Sequence, residues 1–455
     1  MPYEISRSEL EPGLAQLGRA SGDSKLLWPT GADGLRGAYR LGPTPLFARL
    51  TPDEKADRLL AATGEPWRRE LDIVDAAGRV VSAIRRSEDG SVFLPFDPDD
   101  AATTLLREAY LEVTTSRFEA KATTVARAAY YRLRPFVPRG VQLAARRRFA
   151  RVQDHAAFPR WPVESALHDL YEFVLGLVDE IAGEPVPRLA SWPDGKSWAL
   201  VLTHDVETAV GHGRVDAVLD VERQHGLRSA WFFVPERDYR VTDEQVATLR
   251  TSGCEVGVHG LHHDGRDLSP PELPVRVPAM RAWAERWSAT GFRAPATHRN
   301  WDLMPQLGFD YDSSYSDVAR YEPQPGGSCS WLPFFIDELI ELPITMPMDH
   351  TLFEVLGHSD ASAWREKAAF LRDRGGMALL LTHPDYLDEG RLHEYERFLE
   401  EVARDETVWC ALPREVSKWW RDRAASRVAH GGAGWTVEGP AARKARIEFG
   451  APLSV

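Results

Sequence analysis

The chain has 455 residues, which is too long for one compact hydrophobic core and suggests two or three domains. Apolar residues make up 43% and charged residues 27% of the sequence, as in ordinary folded proteins. The formal net charge of −13 argues against a dedicated nucleic-acid-binding protein, because phosphate binding requires a basic surface. The three cysteines show no CxxC spacing, so they predict neither a disulfide framework nor a thiolate zinc site.

The first residues of the chain do not resemble an export signal. Residues 1–6 lack the basic and apolar regions of a signal peptide, and no apolar run in the sequence is long enough to span a bilayer. We therefore expect a cytoplasmic protein.

Residues 1–190 are expected to form an accessory α/β domain whose role the sequence does not indicate. Glycine and proline are scattered through residues 1 to about 60, which predicts loops. Two short strands joined by a polar turn are predicted at Val80–Ile84 and Val92–Phe96. A proline-rich stretch before residue 196 predicts a linker to the next domain.

Between Lys121 and Arg151 the charge balance of the chain is reversed, because many basic residues meet few acids. A solvated helix face is the simpler interpretation of such a run. The alternative is that Arg127–Arg151 contacts an anionic surface, such as a phospholipid surface, a lipid-linked sugar phosphate or an acidic glycan. The arginines concerned are Arg127, Arg132, Arg134, Arg139, Arg146, Arg147, Arg148 and Arg151.

From residue 196 to about 425 the chain alternates between apolar runs and amphipathic segments. Successive strand–helix units of this length predict a parallel sheet or barrel with right-handed crossovers. Residues 426–455 are expected to form a tail or a small β appendage. The predicted strands of the alternating part are Ala199–Leu202, Ala230–Val234, Glu255–Val258 and Met377–Thr382.

Three of these predicted strands end in residues that carry chemistry. Asp205 and Glu207 follow the first strand, His259 and His263 follow the third, and His383 follows the last. The carboxyl ends of parallel strands lie on one face, so these side chains are expected to converge. If a helical turn begins after the third strand, the two histidines project the same way and can share one metal ion. A surface histidine cluster is the alternative interpretation.

Four motifs of the sequence stand in the order found in the polysaccharide deacetylase family, also called the NodB homology domain or carbohydrate esterase family 4. They are Thr203–Glu207, His259–His263, Arg293–Pro295 and Leu381–Pro384, and residues 198 to about 390 resemble that family. The resemblance implies a distorted, incomplete (β/α) barrel that removes acetyl groups from sugars. It also implies a divalent metal ion, for which we expect zinc.

The resemblance also assigns roles to the motif residues. It implies that Asp205 is the general base, that Arg293 holds this base and that His383 protonates the leaving amine. His259 and His263 would be metal ligands. The chemistry agrees, because hydrolysis of an amide requires an activated water molecule, a group that stabilises the oxyanion and an acid for the nitrogen.

One position departs from the commonest family pattern. The residue after the base is usually a metal-binding aspartate, but here it is Val206. In some members the acid stands one residue further on, where this chain has Glu207. Alternate residues of a strand face the same side, so Glu207 is the predicted ligand beside Asp205. If Glu207 pointed away, Asp205 would bind the metal itself and the assignment of the base would fall.

The predicted function is that of a metal-dependent hydrolase that removes an acyl group, such as acetyl, from an amino sugar or polysaccharide. One alternative is hydrolysis of a C–N bond in a non-sugar, acylated small molecule on the same fold. Another is a non-catalytic carbohydrate-binding scaffold, which Val206 favours. Side chains predicted to surround the site, or to serve only as packing, are His204, His262, Asp264, Asn300, Trp301, Tyr311, Asp312, Tyr315, Asp349 and His350.

Overall fold

Two β-sheets organise the chain in the computed structural model. The structure describes residues 5–10, 13–19, 24–31, 34, 36–114, 138–154, 156–432 and 434–450. Within these ranges, none of the helices combines the length and the hydropathy that crossing a bilayer requires. The predicted arginine contacts at Arg127, Arg132 and Arg134 lie outside the described residues.

The first sheet is built from eight strands that precede residue 94. They are β1 (Ile5–Leu10), β2 (Leu14–Arg19), β3 (Lys25–Pro29), β4 (Arg36–Leu41), β5 (Thr44–Arg49), β6 (Trp67–Asp75), β7 (Val80–Ser87) and β8 (Val92–Phe93). Their order in the sheet is β1-β2-β3-β8-β7-β6-β4-β5, and β3 and β8 run parallel while the other neighbours run antiparallel. The strands predicted near residues 80 and 92 are confirmed.

The prediction that residues 1 to about 60 are loops is wrong, because five strands of this sheet lie there. Some of the glycines and prolines stand in tight turns between strands, and others, namely Gly18, Pro29, Gly37 and Pro45, lie within the strands themselves. Gly42, for example, has a φ of +59° in the two-residue turn that joins β4 to β5, a backbone conformation that glycine adopts readily. Helices Pro98–Leu106 and Ala166–Ala182 share a hydrophobic cluster with this sheet.

After a short strand β9 (Pro187–Leu189), the second sheet begins, and it contains nine strands. They are β10 (Trp198–Val206), β11 (Ser229–Phe233), β12 (Glu255–Val258), β13 (Gly291–Phe292), β14 (Tyr311–Asp312), β15 (Phe334–Ile336), β16 (Leu339–Glu341), β17 (Met377–Thr382) and β18 (Val408–Cys410). Their order is β15-β16-β14-β13-β12-β11-β10-β17, with β18 beside the start of β10. All neighbours are parallel except β15 and β16.

The second sheet curls towards a barrel. The amide of Met346, which follows β16, donates to the carbonyl of Leu379 in β17 at 3.1 Å. The chain after β16 therefore approaches β17, although the two strands lie near opposite edges of the sheet. Every residue of β10 and of β17 is buried, which explains why both read as continuous apolar runs up to their ends. The predicted parallel α/β architecture with a curled, incomplete barrel is therefore confirmed for this part of the chain.

Helices connect the strands of the curled sheet. Thr242 and Gln245 stand at the spacing of a capping box at the start of helix Asp243–Thr251, and the Thr242 hydroxyl accepts the amide of Gln245 at 3.1 Å. The Gln245 side chain instead accepts from His212 at 2.8 Å, so half of the capping box forms. The helices with described bounds are Asp53–Ala61, Pro98–Leu106, Leu111–Thr114, Arg139–Gln153, Ala166–Ala182, Ala209–His212, Val215–Gln224, Asp243–Thr251, Leu273–Trp287, Ser362–Asp373, Glu389–Ala403, Pro413–Ala424 and the π-helical segment His350–Leu356.

The end of the chain adds three strands. β19 (Arg427–Gly431) and β20 (Gly434–Glu438) form a hairpin, and β21 (Ile447–Phe449) pairs antiparallel with β9. The division into domains at about residues 190 and 426 stays a prediction.

A buried ion pair joins the two halves of the protein. Arg299, which lies in a loop of the curled sheet, donates to both carboxylate oxygens of Glu108 at 2.5 and 2.8 Å. The Arg299 side chain is 0% exposed and that of Glu108 is 6% exposed. Tyr110 adds a hydrogen bond from its hydroxyl to the carbonyl of Gly327 at 2.8 Å. These contacts hold the amino-terminal half against the curled sheet.

We expect Arg299→Met to lower the free energy of unfolding by about 3–5 kcal/mol, because it leaves the buried Glu108 carboxylate without its cation. The matched control is Arg107→Met. Arg107 also bridges the two halves, to Asp302 at 3.1 Å, but both side chains are exposed, so the expected loss is below about 1 kcal/mol. Urea denaturation followed by circular dichroism measures both. Equal losses would contradict a special role for the buried pair.

Candidate active site

The carboxyl ends of β10, β12 and β17 bring the predicted site residues together. β17 pairs in register with β10, with Thr382 opposite His204, so His383 emerges beside Asp205. β12 lies two strands away on the other side and continues into His259. The convergence follows from the shared direction of the strands.

Glu207 faces the two histidines instead of pointing away. Its Oε1 atom lies 2.8 Å from Nε2 of His263 and 3.8 Å from Nε2 of His259. Asp205 also faces this group, with Oδ2 at 3.6 Å from Nε2 of His259. Burial raises the pKa of the Glu207 carboxyl group, but His263, together with His259 and His383, outweighs this effect and holds that pKa well below its usual range.

This group has the composition and the spacing of a metal site. One nitrogen each from His259 and His263 and one oxygen from Glu207 all lie within 4.8 Å of one another. Nδ1 of His259 lies 3.1 Å from the carbonyl of Arg293, to which it donates, so Nε2 is the ring nitrogen that remains to bind a ligand. That Nε2 is buried and has no hydrogen-bond partner among the described residues. An orphaned buried nitrogen is costly, and a divalent ion would satisfy it.

No helical turn follows β12 at residues 259–263, so the two histidines are brought together by a different backbone arrangement from the one considered in the sequence. Gly260 has a φ of +64° and His263 a φ of +56°, so left-handed residues reverse the chain and bring the imidazoles together. A Cβ atom on Gly260 would clash with the Asp267 carboxylate and would lie 2.6 Å from Cγ of Pro295. Glycine is therefore required at this position both for its φ and for space.

Side chains beside the histidines anchor the loop. Both oxygens of Asp264 accept from Arg276, at 2.6 and 2.7 Å, and Asp267 accepts from the same guanidinium at 3.0 Å. His262 lies on the surface, 3.5 Å from Glu236, with its side chain 41% exposed. Asp264 thus fixes the loop through Arg276, and His262 takes no part in the cluster.

Arg293 holds Asp205 from below the site. Its Nη1 donates to Oδ1 of Asp205 at 3.1 Å and to the Thr203 hydroxyl at 2.9 Å. Ser313 accepts from the other side of the guanidinium through its carbonyl and its hydroxyl, both at 2.7 Å. The guanidinium carbon lies 4.6 Å from the centre of the Phe232 ring. The fully buried arginine therefore fixes Oδ1 and leaves Oδ2 facing the histidines.

His383 is oriented by an acid to which the sequence gives no role. Asp349 accepts Nδ1 of His383 at 2.7 Å and also the backbone amide of His383 at 2.7 Å. Nε2 of His383 consequently faces the cluster, 3.8 Å from Oε1 of Glu207. Burial lowers the pKa of His383, but Asp349, with Glu207 and Asp205, raises it to about 10.

His204 lies beneath the site and belongs to a hydrogen-bond network in the core. Its ring binds the Thr382 hydroxyl at 2.8 Å and the Glu222 carboxylate at 2.7 Å. Glu222 also accepts from the hydroxyls of Ser229, at 2.5 Å, and Tyr395, at 2.7 Å. This closed buried network supports the structural interpretation of His204 and involves Glu222, which no motif of the sequence indicates.

For several side chains, among them Tyr311 and Tyr315, the sequence leaves open a place around the site or a role in packing, and their contacts correspond to packing. The Tyr311 hydroxyl binds Glu255 at 2.7 Å, at the amino end of β12 and thus at the opposite end of the sheet. Asp312 is also fully buried, and Tyr315 packs in a hydrophobic cluster with Phe334. Asn300 and Trp301 lie in a turn in which Asn300 accepts backbone amides and the Trp301 ring stacks on Phe334 at 6.1 Å.

Comparison with known proteins gives matches among solved structures. No protein-family model and no curated protein matches the chain. A Mycobacterium smegmatis structure described as a polysaccharide deacetylase is 22% identical, with 53% of this chain and 96% of that chain covered and a TM-score of 0.41. The chain resembles polysaccharide deacetylases over about half of its length.

Two further structures show the range of these neighbours. The PuuE allantoinase is 15% identical, over 58% of this chain and 98% of that chain, with a TM-score of 0.40. The peptidoglycan deacetylase PdaC of Bacillus subtilis is 14% identical, over 50% and 94%, with a TM-score of 0.32. Because the identities are low and the TM-scores lie below 0.5, the reaction of this chain has to be inferred from its own side chains.

Proposed function

We propose that the protein is a metal-dependent hydrolase that removes an acetyl group from an amino sugar or polysaccharide. The observation that carries the proposal is the convergence of Glu207, His259 and His263 between two proton-transfer groups, Asp205 and His383. The four sequence motifs resemble those of polysaccharide deacetylases, and for this reason we propose acetylated amino sugars as the substrate.

The side chains divide the work of amide hydrolysis between them. A divalent ion held by Glu207, His259 and His263, with zinc as the expected metal, would polarise the acyl carbonyl and acidify a water molecule. Asp205 takes a proton from the attacking water, and Arg293 keeps its carboxylate in position. The water oxygen adds to the acyl carbon, the C–N bond breaks, and His383 gives a proton to the departing nitrogen. The products are a carboxylate and an amine.

The separate orientation of each proton-transfer group supports this division. Asp205 is held through Oδ1, and its other oxygen faces the cluster. His383 is held through Nδ1 by Asp349, and its other nitrogen faces the cluster. A general acid and a general base each need one fixed atom and one atom directed at the substrate. A pure binding protein has no need of such a pair.

The proposal is tested by assaying the purified full chain, loaded with zinc, on N-acetylated chitooligosaccharides and on small cyclic amides. Acetate release from the oligosaccharides is expected, with none from the metal-depleted protein. Turnover of the cyclic amides alone would replace the sugar assignment by the C–N hydrolase alternative. No turnover together with no stoichiometric metal would favour the non-catalytic scaffold.

We expect His383→Gln to lower kcat by about 10²–10⁴-fold, because the variant has no acid for the leaving nitrogen, while the protein keeps its metal. Acetate release and metal analysis by mass spectrometry measure the two effects. The control His358→Gln changes an exposed histidine near the π-helical segment and should leave both unchanged. Loss of metal from His383→Gln would instead make His383 a ligand.

A further inference from the structure

The helix Arg139–Gln153 has an outer face that combines arginines with exposed apolar side chains. Val141, Phe149 and Val152 are 57%, 42% and 63% exposed, and Arg148 and Arg151 are exposed beside them. Spacings of seven and four residues place Val141, Arg148 and Val152 in one row on the helix, and Phe149 stands three residues before Val152. We define these five residues as the outer face. Exposed apolar side chains grouped in this way mark an interaction surface.

The opposite side of this helix is fixed to the curled sheet. Ala150 is buried in a cluster with Tyr321 and Val355. Arg147 donates from Nε to the carbonyl of Glu354 at 2.8 Å, within the π-helical segment His350–Leu356. The helix thus packs against the segment that follows Asp349 in the chain. The outer face is therefore presented on a supported element and is not part of the core.

The charge of the helix has one sign. Residues 139–153 contain five arginines and no aspartate or glutamate, in a chain whose net charge is −13. No carboxylate lies in ion-pair distance of Arg148 or Arg151 within the part of the chain that the structure describes. Exposed cations without acidic neighbours attract an anionic partner.

We propose that the outer face binds a bilayer surface rich in anionic phospholipids. Arginines near such a surface gain free energy from the negative headgroups. Two valines and a phenylalanine on the same face gain free energy only where apolar surface is available, as at the boundary between headgroups and acyl chains. A hydrated acidic polymer would satisfy the arginines but would leave these apolar side chains exposed. A bilayer is therefore the partner that can contact both the arginines and the apolar side chains of the outer face.

The test measures flotation of the full chain with vesicles and needs no substrate, so it stands apart from the proposed hydrolysis. We expect binding to vesicles of phosphatidylcholine mixed with phosphatidylglycerol, no binding to phosphatidylcholine alone, and weaker binding as salt is added. The double variant Arg148→Gln/Arg151→Gln should bind about tenfold or more weakly, and Phe149→Ser/Val152→Ser should also bind more weakly. All of the altered residues are exposed, so circular dichroism should show unchanged folding.

The matched control is Arg397→Gln/Arg404→Gln, which removes the same charge from exposed arginines on helix Glu389–Ala403 and directly after it. It should bind like the unaltered protein. Equal weakening in this control, equal binding to both vesicle types or no binding at all would overturn the proposal. Dextran sulfate provides a further test. If it bound through Arg148 and Arg151 and displaced the vesicles, while Phe149→Ser/Val152→Ser had no effect, an acidic polymer would be the partner. That result would also overturn the proposal.

A fluorophore placed on Val152→Cys, in a Cys410→Ser background, tests what covers the face. We expect a solvent-exposed emission spectrum that shifts to the blue when anionic vesicles are added. A shifted spectrum before any vesicle is added would mean that another segment of the chain, or a second copy, already covers the outer face, and would overturn the proposal.

Discussion

Replacing His259 by alanine is expected to abolish stoichiometric binding of a divalent metal and, with it, hydrolysis. His259 is the most constrained of the three proposed ligands, because the Arg293 carbonyl fixes its tautomer and its Nε2 is buried without a hydrogen-bond partner among the described residues. Loss of an outer hydrogen-bond partner of a ligand already costs 10–100-fold in metal affinity, so loss of the ligand should cost more than about 100-fold. Calorimetric titration of the metal-depleted protein with zinc measures the affinity.

The matched control for this experiment lies three residues away. His262 belongs to the same loop, but its side chain is 41% exposed and faces Glu236. His262→Ala should keep both the metal and the activity. If His259→Ala still bound one equivalent of metal with unchanged affinity, the proposed centre would be wrong, and the three side chains would be a histidine–carboxylate cluster with a structural role.

Replacing Asp205 by asparagine is expected to lower kcat/KM by about 10²–10⁴-fold while the protein keeps its metal. The amide has nearly the shape of the carboxylate, and its oxygen can still accept from Arg293, but it cannot accept the proton of the attacking water. Initial rates on an acetylated oligosaccharide and metal analysis of the same sample measure the two quantities. Asp238→Asn, at an exposed position, is the control and should change neither.

The comparison of Asp205→Asn with Glu207→Gln decides which carboxylate is the metal ligand. Oε1 of Glu207 lies 2.8 Å from Nε2 of His263, whereas Oδ1 of Asp205 is already bound by Arg293. We therefore expect Glu207→Gln to weaken zinc binding and Asp205→Asn to leave it unchanged. The opposite pattern would make Asp205 the ligand and remove its assignment as the base.

The parallel sheet could be predicted because its strands are covered on both faces. β10 and β17 are uninterrupted apolar runs that end in polar side chains, and this pattern is typical of the central strands of a parallel sheet. The antiparallel sheet of the first half could not be predicted in the same way. Its short strands are separated by glycine-containing turns, such as that at Gly42, and these turns have the composition of loops.

The candidate site, too, could be predicted from the sequence only in part. The sequence predicts which side chains converge, because each of them follows a recognisable strand. They are Asp205, Glu207, His259, His263 and His383. Apart from Arg293, which belongs to a recognisable motif, their supports come from elsewhere in the chain, and no local pattern identifies them. Asp349 reaches His383 across 34 residues and Glu222 reaches His204 across 18, while the left-handed backbone of His263 is a product of the folded loop.

Residue 293 acts on the site through two chemically separate parts. Its side chain binds the oxygen of Asp205, and its backbone carbonyl fixes the ring of His259. A change of side chain at this position can remove the first contact, but the peptide group that makes the second is common to every amino acid. A mutation of the side chain can thus change the environment of the Asp205 carboxylate without disrupting the metal site. A shift of the backbone at residue 293 would instead disturb both Asp205 and His259.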